Sequence, residues 1–500
     1  MTSRGGSHQD PARGRPNRSA RVLRGTVAFT AGAVLQRAIV FLLLPFFTQV
    51  LSPSEFGQIG VITTLAAVLS VLASFGLETA IFRGYIAACD ESNRAEFVDT
   101  VGGFALVVPL ALAAVFSLLA APVLAVLFVV PADALRNAAF GAALTTSATL
   151  VPLTLLRAQE RFGDYLQLTA LQVLVTPVLT ILFVAVFGWG VTGWMLAFAL
   201  SSLALLVRGL VILRHRWSLA TDLAPLRSAL AFGVPLIPHA LSHWGLSVSD
   251  RAILGAYVAA PQVGAYYVAY LASMPIGLIA IALSQATQPM YAEAGSVESR
   301  ADIGVVITVQ AVVIIALTAA VALIGPAVAL LLFPPDFAAT AGLIPWLAIG
   351  TGFFGLYLIP MNAISVMAGR TRRVWIITVL AAAVNIGLNL MFVPRIGTMA
   401  AAVNTMIGYG LLLAGVLLYM RRVCDPPIPI EWARIAVGAL AIVIPSIITA
   451  ALIPSDSSIA VAARIVAIVA ASAVLLIGPF RAEARAAWRA LHLGNAGGRA

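Results

Sequence analysis

Lysine is absent from this 500-residue chain, and all thirty of its basic residues are arginine. Charge of either sign is scarce: charged residues make up 10% of the chain, hydrophobic ones 61%, and the mean hydropathy is +1.01. Those values exclude a soluble globular protein. The only two cysteines, Cys89 and Cys424, are too far apart to form a metal motif. No phosphate-binding Gly-rich Lys motif, zinc motif or nucleophile–base pair is visible, so no ATP site and no catalytic centre is expected. Energy for any transport would come from a gradient, the membrane potential or removal of product. Basic residues interleaved with aromatics along one groove are also missing, so the net charge of +10 does not signal nucleic acid.

What is present is a series of apolar stretches long enough to cross a bilayer, which takes about 20 residues each. Fourteen such stretches are expected, joined by mostly short connections. Arginine is sorted between those connections. It crowds the N-terminus (Arg4, Arg13, Arg15, Arg18, Arg21, Arg24) and then every second connection, with Arg136 and Arg395 the exceptions. Cytoplasmic loops are enriched in Lys and Arg, which places both termini inside. Each of the long stretches 98–129 and 303–333 is expected to be one tilted or protruding helix, since splitting either would invert the arginine asymmetry downstream. The first apolar segment is too long for a signal peptide core and contains Arg37, so it reads as an uncleaved span.

The expected fold is an all-α polytopic membrane protein with two six-helix lobes as parallel repeats and two extra C-terminal helices. Its boundaries are a disordered cytoplasmic tail (1–25), an N-terminal lobe (26–216), a C-terminal lobe (217–423), two further spans (424–480) and a cytoplasmic tail (481–500). The repeat rests on an offset of 207 residues. Leu51-Ser-Pro-Ser-Glu-Phe-Gly57 corresponds to Val258-Ala-Ala-Pro-Gln-Val-Gly264, and Gly190-Val-Thr-Gly193 to Gly397-Thr-Met-Ala400. Six spans per repeat would make both halves enter the membrane in the same direction, with a cavity between them.

Several of these segments resemble a known family. Leu51-Ser-Pro-Ser-Glu-Phe-Gly-Gln-Ile-Gly60, followed by Phe75-Gly-Leu-Glu-Thr-Ala-Ile-Phe-Arg83, is similar to the opening hairpin of bacterial polysaccharide flippases of the Wzx type. Ser249-Asp250-Arg251-Ala-Ile-Leu-Gly255 with Gly264-Ala-Tyr-Tyr267 resembles the start of their second half, and Asn385-Ile-Gly-Leu-Asn389 with Gly397 their eleventh and twelfth spans. The larger superfamily also holds lipid II flippases and multidrug and toxin extruders. The resemblance implies an inner-membrane flippase of undecaprenyl-diphosphate-linked oligosaccharide, working by alternating access. Its partners would be that lipid-linked substrate and anionic membrane lipids, with a polysaccharide polymerase or glycosyltransferases as further candidates. Two rivals in the same superfamily are a lipid II flippase and a cation-coupled multidrug extruder. A non-transporting scaffold and a polymerase- or ligase-type enzyme are rivals of other classes.

Candidate substrate-binding residues are those whose polarity is costly inside a span. Arg37 lies either at the inner head groups by snorkelling or in the cavity, where a guanidinium would bind diphosphate in bidentate fashion. Arg83 reads either as an ordinary boundary arginine or as a substrate contact near the inner gate. Span seven, about 228–257, is the most unusual. Pro235 and Pro238 would hinge it. Beyond them His239, His243, Leu246 and Asp250 are spaced to draw one stripe along a helix, with Arg251 beside it. Cavity lining, proton coupling and a two-histidine metal site are all compatible with that stripe. No metal or cofactor is expected. Asn385 and Asn389 share a helix face and read either as interhelical hydrogen bonds or as sugar contacts. Tyr266, Tyr267 and Tyr270 fit an interfacial aromatic belt.

Overall fold

The computed structural model describes residues 39, 41–88, 90–215, 222–292 and 297–424. Every regular element among them is helical. Ten helices among the described residues are long and apolar enough to cross a membrane. The first and seventh expected spans are not among these ten, because the first is only partly described and the seventh is broken. The thirteenth and fourteenth lie outside the described residues, as do Arg37 and Cys89.

A short helix α1 (Leu44–Val50) leads into α2 (Pro53–Ser74). Ser52 and Glu55 cap α2 reciprocally and Pro53 occupies its first turn, a local pattern that starts a helix sharply. Phe75 and Gly76 both take left-handed backbone (φ 47° and 65°) and separate α2 from α3 (Leu77–Ala87). The long α4 (Glu91–Leu127) follows and runs without interruption. Asp90 caps its start, and the Asn93 N–H and Ser92 hydroxyl hold that carboxyl below its ordinary value. Next come α5 (Ala132–Ala158), α6 (Phe162–Val186) and α7 (Gly190–Leu213).

The seventh stretch forms three helices: α8 (Ala224–Gly233), α9 (Ile237–Ser247) and α10 (Ser249–Tyr257). A 3₁₀ turn at Val234–Leu236 contains Pro235, and Pro238 sits in the first turn of α9. A second break falls at Val248 (φ −144°, ψ −8°), where neither Pro nor Gly stands. Then follow α11 (Ala260–Ala292), α12 (Val297–Leu332), α13 (Thr340–Met367), α14 (Val374–Ile396) and α15 (Thr398–Val423). The long α12 is also continuous.

Helices α5, α6 and α7 pack together, and α2 lies on α5. In the second set α13 packs against α11, α12 and α15, while α14 packs on α15 and on the broken span. The two sets meet where α2 runs along α11 and α10. Lipid supplies no hydrophobic drive between helices, so close packing depends on small residues. At the arginine-poor end, a Cβ built on Gly57 would overlap the Ala260 carbonyl, and one on Gly264 would overlap that of Pro53. At the arginine-rich end, a Cβ on Gly76 would overlap the Gly233 carbonyl. Both ends of α2 are therefore in backbone contact with the second set. Between them, Trp244 Nε1 donates to the Thr64 carbonyl (3.3 Å), and Thr64 Oγ1 stands 3.4 Å from the Val248 carbonyl.

Ion pairs gather at the arginine-rich end. Glu78 accepts from Arg157 (3.1 Å), and His215 Nε2 meets Asp99 Oδ1 at 2.7 Å, which ties the connection after α7 to α4.

Candidate functional site

Asp250 and Arg251 lie in the first turn of α10, just past the break at Val248, and both are almost wholly buried (2% and 4% exposed). The Asp250 carboxylate is enclosed by donors. Tyr266 donates its hydroxyl to Oδ2, Thr405 Oγ1 lies 3.4 Å from the same oxygen, and the Arg251 backbone N–H donates to Oδ1 at 2.8 Å. Arg251 is far less satisfied. Its Nε stands 4.0 Å from Asp250 Oδ1, and both Nε and Nη2 are buried without a hydrogen-bond partner. Two aromatic faces take up its charge: the guanidinium carbon lies 4.0 Å from the Tyr270 ring centre and 4.9 Å from that of Tyr267. Cation–π contact of this kind stabilises a desolvated guanidinium by about 2 kcal/mol or more. It cannot supply acceptors for the two orphaned nitrogens.

Each of the two tyrosines also borders a cavity. Tyr267 lines one of about 590 Å³ in the first helix set, where Gln172, Thr176 and Trp194 contribute with many apolar side chains. Tyr270 lines one of about 240 Å³ in the second set, together with His243, Phe354 and Tyr409. Arg251 thus stands between an apolar chamber and an aromatic one. A third cavity, of about 330 Å³, is lined by Arg83 near the arginine-rich end, where the guanidinium carbon lies 4.8 Å from the centre of the Phe232 ring.

The structure separates the residues that the sequence put on one stripe. His243 is exposed on the smaller cavity, whereas Leu246 and Asp250 are buried, and the break at Val248 turns Asp250 away from the α9 face. His239 lies in α9, but its side chain is not among the described ones. No group of three metal-ligating side chains occurs among the described residues. Asn385 and Asn389 face neither cavity. They form a buried ladder with Asn404: Asn385 donates to the Asn404 carbonyl (3.0 Å), Asn389 to Asn385 Oδ1 (3.2 Å), and Asn404 to Asn389 Oδ1 (3.0 Å). The aromatic-belt reading of the tyrosines is corrected here, since Tyr266 is fully buried on Asp250 and its two neighbours hold Arg251. A run of tyrosines at the start of the helix after an Asp-Arg pair was the signal available for that cluster; the pairing itself depends on α11 folding back beside α10.

A family model described as "Polysaccharide biosynthesis protein" matches residues 46–338. The chain belongs to that family. No curated protein sequence matches it. Solved structures show how this member of the polysaccharide biosynthesis family is folded. It is similar to the lipid II flippase MurJ in an inward closed conformation, with a TM-score of 0.58 at 14% identity over 88% of this chain and 99% of that one. An inward-facing MATE-family multidrug resistance transporter of the MOP superfamily gives a TM-score of 0.54 at 19% identity, covering 82% of this chain and 95% of that one. An outward-facing structure with the same description gives 0.52 at 18%, covering 82% and 96%. The polysaccharide-family chain is therefore a multi-pass membrane protein with the fold of flippases and exporters.

Proposed function

We propose that this protein moves an undecaprenyl-diphosphate-linked oligosaccharide across the bacterial cytoplasmic membrane for cell-surface polysaccharide biosynthesis. Both termini would be cytoplasmic, and two six-helix lobes would open alternately to either side. The observation that carries the reading is Arg251, a buried guanidinium with two nitrogens lacking acceptors at the meeting of the helix sets. Buried polar groups in native structures are almost always satisfied, and a diphosphate offers the acceptors that a guanidinium fork matches. Arg83, beside its own cavity at the arginine-rich end, fits a first contact with the substrate, and Arg37 a further one. Asp250 holds Arg251 in register while the site is empty. Asn385 and Asn389 stiffen α14 against α15 behind it. The 3₁₀ turn at Pro235 and the start of α9 at Pro238 supply the hinge on which the broken span bends.

A cavity for cationic drugs would be expected to hold carboxylates, and here the group between the cavities bordered by Tyr267 and Tyr270 is an arginine backed by those tyrosines. The test is a reconstituted flipping assay with a fluorescent polyprenyl-diphosphate oligosaccharide, run beside lipid II. Transport of the oligosaccharide lipid that falls at least tenfold with Arg251→Ala, and recovers in part with Arg251→Lys, supports the reading. Equal transport by wild type and Arg251→Ala would remove Arg251 from the mechanism, and transport of lipid II alone would reassign the substrate.

A further inference from the structure

The 240 Å³ cavity beside Tyr270 is a separate chamber with its own chemistry. We infer that it is a subsite for a single sugar ring, the one attached directly to the diphosphate; this rests on the flippase reading above. Three features of the chamber define its guest.

The first is shape and surface. Phe354 stands at the centre of an aromatic group, with its ring centre 5.5 Å from that of Tyr409 and 6.4 Å from that of His243. Tyr270 completes the wall. The rings are tilted against each other (56° and 70°) and so form a concave surface rather than a stack. A pyranose presents axial C–H groups on one face, and those pack well on an aromatic ring. A chamber of this volume is smaller than the roughly 300–1,000 Å³ that drug-sized ligands occupy.

The second is polarity. Ser247 donates its hydroxyl hydrogen to the His243 carbonyl (2.8 Å), and Thr351 donates to that of Leu347 (2.8 Å). Their hydrogens are committed, and their oxygens remain as acceptors. Tyr409 is 6% exposed, and its hydroxyl has no hydrogen-bond partner among the described residues. The chamber therefore offers acceptors and one uncommitted phenol around an apolar floor, which suits a neutral guest with hydroxyls on its edge.

The third is charge. None of the lining residues is acidic. Aromatic rings alone would attract a cation, but here Arg251 lies 4.0 Å from the centre of the Tyr270 ring and opposes one. An anionic group is instead drawn to Arg251. A sugar diphosphate has this layout, with the neutral ring one glycosidic oxygen from the phosphates.

The experiment uses the full chain in lipid nanodiscs and measures binding of four probes: undecaprenyl diphosphate and the same lipid carrying one glucose, one galactose or one N-acetylglucosamine. At least one glycosylated lipid is expected to bind roughly tenfold more tightly than the bare lipid, the scale of one good aromatic contact. Phe354→Leu should erase that difference and leave binding of the bare lipid unchanged. Tyr409→Phe, which keeps the ring and loses the hydroxyl, should reduce it in part. Equal binding of all four probes by the wild type would overturn the sugar subsite and leave the flippase reading standing, as would a tenfold preference that survives Phe354→Leu. Binding of none of them would take both down.

Discussion

Gly57 and Gly264 fill each other's side-chain space. A Cβ built on Gly264 would lie 3.0 Å from the Gly57 nitrogen, and one built on Gly57 would lie 3.1 Å from the Gly264 nitrogen. The two glycines are also equivalent in the repeat expected from the sequence, 207 residues apart. Equivalent positions touch reciprocally where a two-fold axis passes between them. The contact thus favours two lobes related about an axis that emerges at this point, and an experimental structure should superpose residues 22–216 on 227–423 without inversion. A match only after inversion would refute the parallel repeat.

A side chain at either glycine should force this end of the interface apart. Overpacking costs about 1–3 kcal/mol, which is enough to shift a two-state equilibrium about fivefold or more. Gly57→Ala and Gly264→Ala are each expected to raise the labelling rate of a cysteine placed at Tyr267, measured with an impermeant thiol reagent from the arginine-poor side. Unchanged rates would mean that the contact is not a gate.

Asp250 and Arg251 should differ in how much stability their loss removes. Arginine cannot shed its proton, so Asp250→Ala leaves a buried cation uncompensated, at about 3–5 kcal/mol. Arg251→Gln leaves a carboxylate that still accepts from Tyr266, Thr405 and the backbone N–H at position 251. Thermal unfolding of the purified protein should therefore show a much larger fall in Tm for Asp250→Ala, with the double variant partly restored. Equal losses would show that the pair is not electrostatically coupled.

The asparagine ladder should behave as a unit. Asn389→Leu removes the partner of both Asn385 and Asn404 and should cost about 1–3 kcal/mol in unfolding assays. Adding Asn404→Leu to it should cost less than the sum of the single changes. Strict additivity would mean that the three amides act independently.

Fusions of a topology reporter after Arg94, Arg214 and Arg373 should read cytoplasmic, and fusions near Pro53 and Pro261 external. A reversal after residue 129 would show that α4 crosses the membrane twice.

Much of the architecture was legible in the residues. Apolar runs of sufficient length mark the spans, and Pro235 marks the first break in the seventh, because both signals are local. The second break was not legible. Ser247-Val248-Ser249 contains no helix breaker, and the turn there coincides with contacts to Thr64 on a distant helix. The helical period put Asp250 in line with His243 only while that helix was assumed continuous. Asn385 and Asn389 could be placed on one face from their spacing. That the face is occupied by Asn404 depends on how α14 and α15 settle together, and no spacing within a single helix records it. The aromatic box around Arg251 was hidden for the same reason.

Thr64 meets the broken span before its break and at it: the Trp244 indole before it donates to the threonine carbonyl, and the Val248 carbonyl at the break faces the threonine hydroxyl. Asp250 and Arg251 begin the helix immediately beyond. The break is therefore placed to act as a crank. A slide or tilt of α2 against the second set of helices would swing the start of α10 and carry the charged pair along an arc. Separation of either glycine contact at the ends of α2 would then be geared to the orientation of Arg251, and one linkage would join the two helix ends to the anion-seeking group.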